Sequence, residues 1–439
     1  MAFIHHQSSE SVDSGLDLWT IPTTQTSIES GMYIEYFPLA SLSPSSNIEF
    51  FINQKGSGDY LDLSNTYLYV RAKIQQSDGT PLPQDAPVGP VNNWLHSLFS
   101  QCDVSLNNTL VSPSENTYAY KAYLEDLLSY DRGAKKSQMT ANMYYRDSSG
   151  HFEEVKGDIK NSGMIVRRSL TSKSQEVSMM GKLHVDIMNM SRYLLNGVDV
   201  KIRLVKSKDS FSLMANCPEG ICYTSVLTHV SLFVRKCKLN PAVMLAHNAA
   251  LTKAPAKYPY KRVSLKTVAI PMGSLSVTED NLFMSQLPNR VIIGLIDSDA
   301  FNGNLDKNPF NFKHHSLSYI SLFVDGQQIP STPLTPDFKN NIYVRSFYRL
   351  FSELGMASKD EGNYIEMRDF PYGYALYAFD LTPSILDGDQ CELVRSGNLR
   401  LELKFAEALP HPVHTILFGE KDAIFEITHS REVVTDFSG

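Results

Sequence analysis

The chain lacks any apolar run of the roughly 18 residues that a transmembrane helix needs. It also has no closely paired cysteines and no block of basic residues. Each absence removes a class of protein. Without the long run, no transmembrane helix is expected. The five cysteines, Cys102, Cys217, Cys222, Cys237 and Cys391, are odd in number. Cys217-x4-Cys222 has no second pair to complete a zinc site, so free thiols in a reducing compartment are expected. The formal charge of −7 and the pI of about 6.0 argue against a protein that coats nucleic acid, because phosphate contacts need clustered Lys and Arg. The basic pairs Lys135-Lys136 and Arg167-Arg168 are short and read as solvated loop charge. Residues 1–30 show no basic stretch followed by an apolar one, so no secretory signal is expected, and the sequons at Asn107 and Asn189 are expected to be unused.

Catalytic patterns are missing as well. There is no G-x-S-x-G, no phosphate-binding P-loop and no G-x-G-x-x-G. His314 and His315 are adjacent, so on a strand they point to opposite faces and cannot share one ion. His96 has no histidine two residues on, and His5-His6 stand in a polar N-terminal stretch. His411 and His414 form an H-x-x-H broken by Pro412, with no carboxylate pair nearby in sequence. No catalytic, cofactor-binding or metal residue is therefore expected. Asp186 and Asp380, one in each half, read as anchors for a turn or a backbone amide.

What is present is a repeat. Pro90, Asn92, His96, Ser97 and Leu98 recur at one constant offset as Pro309, Asn311, His315, Ser316 and Leu317. The stretch from Pro90 reads as a long strand, a tight turn at Asn107-Asn108 and a returning strand. Asp325-Gly326 supplies the matching turn in the second half. Asn116-x-Tyr118 and Tyr123 recur as Asn341-x-Tyr343 and Tyr348, and Gly197–Arg203 as Gly397–Leu403. The offset is smaller for the last match than for the others, so the second copy has the shorter excursion between helix and strand. At 439 residues and 42% hydrophobic content, the chain can bury two cores.

In chain order, residues 1–30 read as a polar arm. Leu16, Leu18, Trp19 and Ile21 within it either pack on their own domain or cover a neighbouring surface. Alternating strands follow from Ile48, then a Pro-rich loop over 81–90 and the hairpin. Tyr120, Tyr123, Leu124, Leu127 and Leu128 define one apolar face of a helix, capped by Asn116 or Thr117 and ended near Gly133. Residues 131–175 read as a large exposed excursion, matched by 355–374. Strands resume at 181–187, 198–205 and 226–239. Asn240-Pro241 opens a short helix. The division expected is an arm at 1–30, a first domain at 31–240, a linker helix at 241–257 and a second domain at 258–439.

Each half thus holds about eight short strands and one helix after its central hairpin. The predicted class is all-β: a double jelly roll of two eight-stranded antiparallel sandwiches side by side. Most of the 22 Tyr and 22 Phe belong in these cores. The loop Phe370-Pro371-Tyr372-Gly373-Tyr374 is read as an exposed aromatic patch suited to an interface.

Three strings carry a family resemblance: GPVNNWLHSLFSQ over 89–101, YLLNGVDVKI over 193–202 and LDLWTIPTTQTSI over 16–28. They resemble the major capsid protein of Polinton (Maverick) elements and adintovirus-like viruses. The resemblance implies a double jelly roll that forms homotrimers with a pseudo-hexameric outline and tiles an icosahedral shell. It implies a structural role without catalysis or cofactor. The implied partners are other copies of the chain and a minor or penton capsid protein, with no sequence-specific nucleic acid. The implied location is the virion capsid, with assembly in the host nucleus or cytoplasm. The alternative is a two-domain jelly-roll carbohydrate-binding protein or glycosidase, which would need exposed aromatics and a carboxylate pair.

Overall fold

The computed structural model describes residues 5–43, 47–112, 115–217, 222–283, 286–384 and 390–435. The outermost residues of the expected arm and second domain, 1–4 and 436–439, lie outside these.

The first half supplies β1 (Ile28–Tyr36), β2 (Ile48–Ile52), β3 (Tyr60–Gln76), β4 (Val88–Pro90), β5 (Phe99–Leu106), β6 (Thr109–Leu110), β7 (Val177–Lys182), β8 (Val200–Lys206), β9 (Leu213–Ala215) and β10 (Tyr223–Leu239). The second supplies β11 (Ala256–Ile270), β12 (Ser276–Glu279), β13 (Arg290–Asp297), β14 (Phe312–Lys313), β15 (Leu317–Val324), β16 (Gln327–Leu334), β17 (Tyr372–Gly373), β18 (Leu376–Asp380), β19 (Leu399–Phe405), β20 (Val413–Ile427) and β21 (Val433–Thr435). Period-two patterning makes these strands. In β8, Val200, Ile202 and Leu204 are buried while Lys201 is exposed and Arg203 half-buried.

Two four-stranded sheets form each half. In the first half their orders are β1-β10-β3-β7 and β2-β8-β5-β6. In the second they are β11-β20-β13-β18 and β12-β19-β15-β16, with β21 added beside β20. The orders match strand for strand, and every pairing within these sheets is antiparallel. The fold is a double jelly roll. The two hairpin turns occupy the same place in that order. Asn107 and Asn108 have φ of 45° and 69°, and Asp325 and Gly326 have 50° and 83°, as a primed two-residue turn requires.

Several local expectations are corrected. The long strand from Pro90 is interrupted by a helical turn, Trp94–Ser97, entered through Asn93 in the left-handed region. All four residues of that turn are buried, so packing overrides the extended pattern. The strand expected at 181–187 ends at Lys182, and Asp186 opens a 3₁₀ turn instead. There Asp186 pairs with Lys121 and accepts the Val263 amide, contacts a straight strand could not make.

The helix after the first hairpin, Tyr118–Ser129, buries ten of its twelve residues rather than one face. Its N-cap Thr117 makes no side-chain capping bond, and Gly133 lies inside a following helix, Arg132–Lys136. The reason is position. Tyr123 stacks on Phe310 of the second half with ring centroids 4.1 Å apart, and Tyr120 stacks on Phe301. Its counterpart, Val344–Glu353, lies against β18 with Val344 and Tyr348 exposed.

Residues 131–175 are not an exposed excursion. They carry helix Ser162–Thr171 and enclose Tyr144, Asp147, Phe152, Met164 and Arg167. They form a seam against the second half: the Asp147 carbonyl accepts the Tyr374 hydroxyl at 2.7 Å and Arg146 pairs with Asp369. One member of each basic pair sits inside it, while Lys136 is exposed as expected and Arg168 is half-buried. Arg167 is fully enclosed, and Lys135 donates to the Asn363 carbonyl at 2.6 Å. Burial lowers the Lys135 ammonium to about 7. Within 355–374, Asp369 and Phe370 are buried too.

Candidate functional site

Among the described residues, His and Asp side chains close enough to share one ion gather at two places, and the repeat foreshadows both. His96 and His315 stand at matched positions just before β5 and β15, yet their partners come from different elements.

In the first half, His96 sits on the buried helical turn, Asp126 on helix Tyr118–Ser129 and His184 just after β7. Their ligand-type atoms lie within 4.8 Å of one another. His184 Nε2 is 3.4 Å from Asp126 Oδ2, and His184 Nδ1 is 2.6 Å from Glu125 Oε2. His96 Nδ1 is 3.0 Å from the Tyr118 hydroxyl, while its buried Nε2 has no hydrogen-bond partner among the described residues. Asn93 donates to Asp126 at 2.7 Å. Burial alone would depress the His184 imidazole, but Asp126 and Glu125 outweigh it and hold it at about 10. Burial and the neighbouring His184 push His96 down to about 3.

In the second half, Asp297 ends β13. His411 Nε2 is 2.6 Å from its Oδ1, His315 Nε2 is 3.5 Å from the same oxygen, and Lys313 Nζ is 2.8 Å from Oδ2. Burial would raise this carboxyl, but the Lys313 and His411 hydrogen bonds hold it at about 2. His315 lies in a turn with φ of 44°, not on a strand. His314 turns away and stacks on Phe338. His414 bonds Ser298 and stacks on Phe301, so the H-x-x-H does not converge. Asp126 and Asp297 escaped the sequence reading. The repeated histidine was a signal, but its partners stand at no common spacing from it in the two halves.

Asp380 does anchor a turn, accepting from the Thr382 amide and hydroxyl. The aromatic loop is not the exposed patch expected: Phe370 and Tyr374 are fully buried and Tyr372 alone of the three is exposed. Exposed apolar surface lies elsewhere. Residues 5–27 are exposed throughout, with Trp19 at 87% and Ile21 at 86%. Next to them β1, paired on one side by β10, carries exposed Met32 and Tyr33. Phe37 and Leu39 continue the strip. The Leu16–Ile21 cluster therefore does not pack on its own domain. No helix of the described residues is long and apolar enough to cross a membrane.

No family model matches the chain. An uncharacterized protein of Caenorhabditis elegans is 28% identical over 427 residues, which is 95% of this chain and 99% of that protein. Among solved structures, a chain of the Sputnik virophage has a TM-score of 0.64 at 12% identity, covering 100% of this chain and 95% of its own. The Faustovirus major capsid protein scores 0.56 at 8% identity, over 93% of this chain and 92% of that one. The mavirus major capsid protein scores 0.53 at 10% identity, over 99% and 97%. At these identities the likeness establishes the double-jelly-roll fold across the whole chain.

Proposed function

We propose that the chain is a major capsid protein, a building block without catalytic activity that forms homotrimeric, pseudo-hexameric capsomers of an icosahedral shell. The observation that carries this reading is the duplication itself: two jelly rolls of matching strand order in one chain. A trimer of such a chain presents six similar outer flanks, so hexagonal packing can reuse one kind of contact under threefold symmetry. The capsid proteins of Faustovirus and mavirus share this fold. The three strings quoted above favour a Polinton-like DNA virus or element as its source. A minor or penton capsid protein would complete the shell, and assembly would take place in the host nucleus or cytoplasm.

We take 1–30 as an arm, 31–240 and 258–439 as the two domains and 241–257 as the linker. The arm and β1 supply the contact between capsomers. An edge strand with Met32, Tyr33, Phe37 and Leu39 in water is a surface that a second copy can cover. The aromatic loop lends the carbohydrate reading little support, since Phe370 and Tyr374 are enclosed and cannot stack on a sugar.

Negative-stain microscopy of the purified chain tests the proposal. Full-length protein should form hexagonal capsomers and shells, and protein lacking residues 1–25 should form capsomers but few shells. Glycan binding by a chain that never associates would support the carbohydrate alternative instead.

A further inference from the structure

We propose that His96, Asp126 and His184 bind a divalent first-row transition ion, with zinc the best match, inside the first jelly roll. Two imidazole nitrogens and one carboxylate oxygen are a ligand set that suits such an ion and leaves one position for water. The three side chains come from three separate elements, so the fold brings them together.

His96 carries the argument. Its side chain is fully enclosed, and Nε2 faces the cluster without a hydrogen-bond partner among the described residues. An orphaned polar atom in a core is costly unless something meets it. His96 Nδ1 lies 3.0 Å from the Tyr118 hydroxyl, which also accepts the His184 amide; in the tautomer that carries its proton on Nδ1, Nε2 turns a lone pair to the cluster. His184 repeats the device: Nδ1 points at Glu125 and Nε2 at the cluster. A carboxylate or hydroxyl behind each ligating imidazole is how metal-bound histidines are oriented.

The spacing allows closure. An ion with ligand distances of about 2.0 Å sets tetrahedral ligands about 3.3 Å apart, so the atoms need to draw in by about 1.5 Å at most. On binding, the ion replaces the proton on His184 Nε2, and that proton leaves to solvent. A cleft of about 640 Å³, lined by Glu125, Asp126, Lys182 and His184, gives a path from water. Of the nearby cations, Lys121 is held by Asp186 and Lys182 lines the cleft. The Asp297 cluster is a natural control, because Lys313 already occupies the free oxygen of its carboxylate.

The test uses the full chain, stripped with a chelator and titrated with zinc by calorimetry, and with cobalt(II) by visible absorption. One ion per chain should bind. His96→Ala and Asp126→Asn should abolish it, Glu125→Gln should weaken it by about 10- to 100-fold, and His411→Ala should leave it unchanged. If the His96 and Asp126 variants do not fold, the cobalt spectrum of the unaltered protein decides. Four-coordinate bands without a thiolate charge-transfer band support the site. No binding at micromolar ion, a thiolate band from Cys217 and Cys222, or loss of binding in His411→Ala would each overturn it.

Discussion

Arg167 and Asp147 meet 2.6 Å apart, and neither side chain has any exposed surface. Arg167 also donates to the carbonyls of Pro90 and Tyr145, and Asp147 accepts from Asn161. This pair is the centre of the seam, because the Asp147 carbonyl accepts the Tyr374 hydroxyl from the other half. Removing one member leaves a buried charge without its counter-charge. Asp147→Ala should therefore cost about 3–5 kcal/mol in urea unfolding. A loss below about 1 kcal/mol would mean that the pair is open to solvent.

The same seam changes what a protease should see. Residues 131–175 are tied down by Arg146, Asp147 and Phe152 against the second half, whereas the 5–27 segment is exposed throughout. Brief digestion with chymotrypsin should cut first at Trp19 and spare 131–175. Early cleavage at Tyr144 or Phe152 would show that the seam opens readily.

Two glycines separate backbone strain from steric conflict. Gly326 has φ of 83° with no atom within 4 Å of an added Cβ. Gly326→Val should cost on the order of 1–3 kcal/mol, from the turn alone. Gly373 has φ of 114°, and its Cβ would lie 2.1 Å from the Phe152 ring. Gly373→Ala should cost more than Gly326→Val although the added side chain is smaller. Equal thermal shifts in the two variants would contradict this placement of the halves.

Asp297 makes stability depend on acid. Its folded pKa of about 2 lies below the ordinary 3.8, so its contribution is complete above pH 3.8 and fades as pH falls through 2. That gap is worth on the order of 2 kcal/mol. Asp297→Asn should lose this much at neutral pH and progressively less in acid, as followed by urea unfolding across the range. A constant difference down to the lowest pH would remove the carboxylate from the account.

The duplication was legible in the sequence because hairpin turns leave local signatures. Asn107-Asn108 and Asp325-Gly326 both need positive φ, and few residues accept it. The shortened second excursion was legible too. The gap between the helix and the matching strand, β7 or β18, runs over 130–176 in the first half and only over 354–375 in the second. The seam was not legible. Lys135, Arg167 and Asp147 look like surface charge to any local reading; Lys135 and Asp147 find partners, Asn363 and Tyr374, in the other half of the chain, and Arg167 finds its own at the distant Pro90 and at Asp147. Helix Tyr118–Ser129 misled in the same way: its apolar face meets the second half through Tyr120 and Tyr123, while Asp186, His184 and Asn93 of the first half cover its polar side at Lys121 and Asp126. The His96 cluster needed the three-dimensional fold, because Asp126 and His184 follow no ligand spacing.

The native mass of the purified chain at micromolar concentration tests the central claim most directly. A capsomer of three chains should weigh three times 49.3 kDa, or about 147.9 kDa, held by an interface larger than about 2,000 Å² in total. A single species at 49.3 kDa would contradict the capsid reading.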